Sequence, residues 1–107
     1  MSRGATDDAS IEVLVIDIEL HLPMVSNLKA KRSVVQSIVR TIDGWKGVGA
    51  AEVGFLDKWQ RTRIGVSIVG GSVSHLDDVA AAVERHVWSV PGVDVLSIDQ
   101  RWVEQES

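Results

Sequence analysis

Cysteine is absent from the 107 residues, which excludes a disulfide scaffold, thiolate zinc and iron–sulfur sites, and a cysteine nucleophile, and fits a reducing compartment. Long apolar runs are absent as well. Asp17 and Glu19 interrupt the strongest hydrophobic stretch, so nothing approaches the ~20 residues of a membrane span. No secretory apolar core follows the first residues, and the expected setting is the cytoplasm, with no membrane partner. No Gly-x-Ser-x-Gly elbow, Walker A loop or Gly-x-Gly-x-x-Gly turn occurs, and with them go the usual sequence signals of a hydrolase, an NTPase and a dinucleotide enzyme. No cofactor is expected, and the chain reads as a non-enzymatic protein. There is no internal repeat.

What is there amounts to one ordinary domain: 45% hydrophobic and 24% charged positions over a length typical of single folding units. The formal charge of −4 hides a division along the chain. Residues 26–63 carry eight Lys and Arg against three acids, residues 1–25 one against five, and residues 64–107 two against seven. A basic middle between acidic flanks marks either an anion-facing surface or opposite charges that meet within the fold.

Residues 1–10 offer almost nothing to bury and are expected to form a disordered tail, as are residues 104–107, leaving a single domain over 11–103. From Ile11 to Leu22 the even positions Leu14, Ile16, Ile18, Leu20 and Leu22 alternate with Asp17, Glu19 and His21, the period of a strand with one buried and one wet face. Pro23 breaks it. Ser26 or Asn27 then caps a helix over Leu28–Asp43, whose Leu28, Val34, Val35, Ile38, Val39 and Ile42 recur at helical spacing. Gly44 ends this helix, and 44–49 read as a loop. Ala50–Leu56 and Arg61–Val69 read as a hairpin around Asp57-Lys58-Trp59-Gln60. A second helix starts at a capping box of Ser74 and Asp77 and runs to about Ser89. Pro91-Gly92 precede a last strand, Val93–Val103. Two right-handed crossovers sharing one hairpin give an α+β, ferredoxin-like βαββαβ fold: a four-stranded antiparallel sheet with two helices on one face and the other face open.

Ser26-Asn27-Leu28-Lys29-Ala30-Lys31-Arg32, Ala51-Glu52-Val53, and Trp59-Gln60-Arg61 followed by Ile64-Gly65-Val66 together resemble the YlxP-like proteins, a bacterial family classed as a domain of unknown function. The resemblance spans nearly all of 11–103. It implies a small ferredoxin-like fold, and the family's gene neighbourhoods beside translation and ribosome-maturation factors imply an RNA or ribosome context. Where the family usually has Ser-Leu-Lys-Glu-Lys-Arg, this chain has Asn27 and Ala30, which leaves the helix start more basic.

Two groups of side chains could carry function. Lys29, Lys31 and Arg32 on the first helix, with Lys58, Trp59, Arg61 and Arg63 on the hairpin, have the chemistry to hold phosphates and stack a base. The same residues also fit a solvated helix face and a tryptophan that covers the core. Asp17, Glu19 and His21 share the open sheet face, and antiparallel pairing would set Glu19 near Arg61 and Asp17 near Arg63, as ion pairs rather than a metal or catalytic cluster. His75 and His86 lie eleven residues apart on one helix, too far to chelate one ion. The expected partner is structured RNA or the ribosome. The competing reading is a homo-oligomeric interaction module, with a homodimer as partner and Trp45, Trp59, Trp88 and Trp102 as candidates for its contacts.

Overall fold

The computed structural model describes residues 10–104; apart from Ser10 and Glu104, the two expected tails lie outside the described residues. The elements are β1 (Glu12–His21), α1 (Leu28–Asp43), β2 (Val48–Gly54), β3 (Arg61–Gly70), α2 (Val73–Ser89) and β4 (Asp94–Trp102). They form one antiparallel sheet in the order β2-β3-β1-β4. The ferredoxin-like arrangement is therefore present, with β1 and β3 central.

Alternation positions everything else. The even residues Leu14, Ile16, Ile18 and Leu20 of β1 and Ile64, Val66 and Ile68 of β3 are buried, and they pack with Val35, Ile38 and Ile42 of α1 and Leu76, Ala80, Val83 and Val87 of α2. Every core residue of the central strands has the same parity, so both helices lie on one face. Each Val, Leu or Ile side chain among them contributes about 1.5–3 kcal/mol by leaving water. Asn27 caps α1, its Oδ1 accepting from the Ala30 amide at 2.8 Å.

Three boundaries move by two residues. The cap of α2 is Ser72, whose Oγ accepts from the His75 amide, so Ser74 lies inside the helix rather than at its start. β2 begins at Val48 and ends at Gly54, because pairing with β3 recruits Val48 and Gly49 opposite Ile68 and Ser67. The local glycine content suggested a loop there, and the ladder overrides it. Gly47 supplies the entry at φ +77, where its carbonyl accepts from the Val69 amide and a Cβ would stand 2.7 Å from the Val69 carbonyl oxygen.

Candidate functional site at the hairpin end

The hairpin end of the sheet is assembled by one lysine. Lys31 sits three residues after Leu28 and four before Val35, on the apolar stripe of α1, and it is fully buried. Its Nζ donates to the Phe55 carbonyl at 2.7 Å and the Leu56 carbonyl at 3.3 Å, and pairs with Glu52 Oε2 at 2.7 Å. Glu52 stands opposite Ile64 and so faces the helices; its Oε2 also accepts from the buried Thr62 hydroxyl at 2.7 Å. An ammonium this far from water persists only with its donors satisfied, and here all three protons have an acceptor. Phe55, at φ +57, turns its carbonyl to this ammonium, which offsets the cost of the left-handed backbone.

Gln60 ties the β1–α1 loop to the same hairpin. Its Nε2 donates to the Pro23 and Val25 carbonyls at 3.2 and 3.1 Å, and its carbonyl accepts from the Leu22 amide. The start of α1 and the 55–60 loop are thus held side by side. Around the buried tie, Lys29, Arg32 and Lys58 remain exposed. So do Met24 at 83%, Leu56 at 55% and Trp59 at 53%.

The seven candidate contact residues therefore divide. Lys29, Arg32, Lys58 and Trp59 come together at this end with their surfaces free. Lys31 does not belong with them: it is interior, and its role is to build the end rather than to touch a ligand. Arg61 and Arg63 lie on the sheet and are neutralised. Arg61 Nη2 donates to Glu19 Oε2 at 2.5 Å, and its guanidinium stacks on the Phe55 ring at 4.6 Å. Arg63 grips Asp17 with two bonds, Nε to Oδ1 at 2.9 Å and Nη2 to Oδ2 at 2.6 Å.

The expected cross-strand ion pairs are present, although they run diagonally. Arg63 stands across from Glu19 and Arg61 across from His21, and each guanidinium reaches the next acid along β1. His21 Nδ1 lies 3.1 Å from Asp94 Oδ2. Beyond these charges the open face carries the small residues Gly49, Ala51, Gly65 and Ser67 in register, with Val13, Val15, Val53 and Val69 beside them. His75 and His86 share no ligand-like geometry; His86 instead meets Trp45 edge-on at 6.1 Å.

The bonds from Arg63 hold the Asp17 carboxyl below its ordinary value of 3.8, against a smaller opposing effect of burial, and they raise Arg63 in turn. A carboxyl whose folded value is depressed contributes stability above its unfolded value, and that stability is lost as pH falls through the folded one. Asp17→Asn is therefore expected to be less stable than the parent near neutral pH, with the gap closing in the acid range below the ordinary aspartate value. Urea midpoints of both proteins from neutral pH downward check this; a gap that stays constant with pH contradicts it.

Glu52 is the residue that sequence reasoning missed. The usable signal was its parity: an acid on the core-facing side of a strand requires a buried partner, and Lys31 on the apolar stripe of α1 is the matching cation. Among the described residues, no helix is long and apolar enough to cross a membrane.

A family model described as "Protein of unknown function (DUF503)" matches residues 13–100. The "Uncharacterized protein YlxP" of Bacillus subtilis (strain 168) is 28% identical over 76 residues, 71% of this chain and 83% of that protein. The de novo designed protein Foldit4 superimposes with a TM-score of 0.51 at 11% identity, over 89% of this chain and 100% of its own. This last likeness concerns the fold alone.

Proposed function

The chain belongs to the DUF503 family of proteins of unknown function, and since membership brings no activity with it, we propose from the geometry that this is a small non-enzymatic binding protein of the cytoplasm. Its ligand on this reading is structured RNA, with the ribosome as the setting, and its contact surface is the hairpin end. The observation that supports it is the buried Lys31 tie, which sets three exposed cations, Lys29, Arg32 and Lys58, beside an exposed indole, Trp59. Cations there hold phosphates and the indole stacks on an unpaired base.

Base reading across the sheet is disfavoured. A stacking sheet needs aromatic platforms on its central strands, whereas the open face offers Gly65, Ser67 and the neutralised Arg63 and Arg61. Recognition on this account runs through backbone charge and shape.

The test is the salt dependence of affinity for a ribosomal RNA hairpin. Each phosphate contact contributes roughly 0.7–0.9 to the slope of log K against log salt. Replacing Lys29, Arg32 and Lys58 together by Ala should flatten the slope by about 2, while Lys46→Ala, at the opposite end of α1, should leave it alone. A parent protein without salt-dependent RNA binding, or a triple variant with the parental slope, would remove the reading.

A further inference from the structure

Apart from the hairpin end, exposed apolar side chains also line a seam at β4. Trp88 on α2 is 65% exposed, and on and just beyond β4 Leu96 is 50%, Val103 38% and Trp102 36% exposed. β4 is also an edge strand. Natural edges are usually guarded by charged side chains, lysine above all, by proline or by a bulge, and the charges of β4, Asp99 and Arg101, are of opposite sign, so a second copy can pair them. From Val95 to Val103 there is neither proline nor lysine, and the bulge falls near one end, at Leu96. The opposite edge, β2, is shorter, contains Gly49 and Gly54, and carries its own irregularity.

The hydrogen-bond parity of β4 says which groups face outward. The Val103 amide donates to the Val13 carbonyl at 2.9 Å, so by the antiparallel alternation the odd residues of β4 bond to β1. The amides and carbonyls of Ile98, Gln100 and Trp102 then point away from the sheet, toward any strand that adds to it.

We infer that β4 is the seam of a two-fold homodimer, in which two copies pair this strand antiparallel about Gln100 into one continuous sheet. Charge selects that register. Asp99 and Arg101 lie on the open face, opposite Asp17 and Val15, and neither side chain makes a hydrogen bond or ion pair among the described residues. A pairing centred on Asp99 opposes two carboxylates, and one centred on Arg101 opposes two guanidinium groups. Centring on Ile98 sets Asp99 against Ser97 and leaves the charges unmatched. Only centring on Gln100 faces Asp99 with Arg101 of the second copy, and does so twice by symmetry. The same register aligns the outward groups of Ile98 with those of Trp102, and it covers the Trp102 and Ile98 side chains on the helix side. This seam shares no residue with the hairpin end, so it stands or falls independently of the RNA reading.

Sedimentation equilibrium tests it with a charge exchange. The parent should sediment at twice the chain mass. Asp99→Arg alone places like cations across the seam and Arg101→Asp alone places like anions, so each should sediment as a monomer. Mixing the two single variants in equal amounts should restore the doubled mass, as should combining both changes in one chain; rescue by mixing also establishes that the single variants are folded. A parent that remains monomeric at hundreds of micromolar, or single variants that dimerise as the parent does, would overturn the inference.

Discussion

Lys31→Met should lower the stability of this domain by about 3 kcal/mol, the size expected when one partner of a buried ion pair is removed. Methionine keeps the length of the stem, so the loss comes from the ammonium. Glu52, only 18% exposed at its side chain, is left with the Thr62 hydroxyl alone, and the Leu56 carbonyl loses its donor. Against a total of about 5–15 kcal/mol for a domain of this kind, that is a large share, and it should lower Tm by on the order of 15 °C. Adding Glu52→Gln to Lys31→Met removes the stranded charge and should recover part of the loss. Urea unfolding of the two variants and the parent measures both effects. A Lys31→Met protein within 0.5 kcal/mol of the parent, roughly the range of ordinary surface substitutions, would mean that the lysine is not the tie.

Trp59→Ala should do the reverse, with a large effect on binding and little on stability. The indole is 53% exposed at the corner of the hairpin, and the loop's own bonds come from Gln60 and the Lys31 ammonium rather than from this ring. A stacked base is worth about 1–3 kcal/mol, so affinity for a structured RNA with an unpaired loop should fall roughly 5- to 150-fold while Tm stays close to the parent's. Trp59→Phe, which keeps an aromatic face, should retain most of the affinity. Should Trp59→Ala instead melt many degrees lower with affinity unchanged, the ring would be an anchor of the fold and not a contact.

The two predictions separate residues that look alike in the sequence. Lys29, Lys31 and Arg32 read there as one basic cluster, yet α1 turns about 100° per residue, so Lys31 falls on the stripe of Leu28, Val35, Ile38 and Ile42 while its neighbours project outward. The period held the information; the partner did not. Glu52 is twenty-one positions along the chain from Lys31, and only the crossover that lays α1 over β2 brings them to 2.7 Å. Local pattern served well where one element decides the outcome: α1 spans Leu28–Asp43 with Asn27 as its cap, and the parity of β1 separates Ile16 and Ile18 from Asp17 and Glu19.

It served less well where two elements decide together. β2 starts earlier than its glycines suggest because β3 pairs with it, and α2 is capped by Ser72 rather than Ser74 because the Gly70-Gly71 turn ends sooner. The ion pairs on the open face were legible from alternation, but their diagonal course was not, since it depends on the reach of each arginine past its facing residue. With the charges of Arg61 and Arg63 paired with Glu19 and Asp17 and Lys31 inside, the free positive charge among the candidate contacts narrows from six cations to Lys29, Arg32 and Lys58 at a single end of the molecule.

Amine acetylation read by mass spectrometry, with and without a ribosomal RNA hairpin, addresses that arrangement most directly, because the chain has four lysines, at 29, 31, 46 and 58. The account predicts that Lys31 stays unmodified in the folded protein under both conditions, that Lys29 and Lys58 react freely and become shielded by the RNA, and that Lys46 reacts equally in both. Lys31 reacting as fast as Lys29, or RNA shielding Lys46 while leaving Lys29 and Lys58 open, would contradict it.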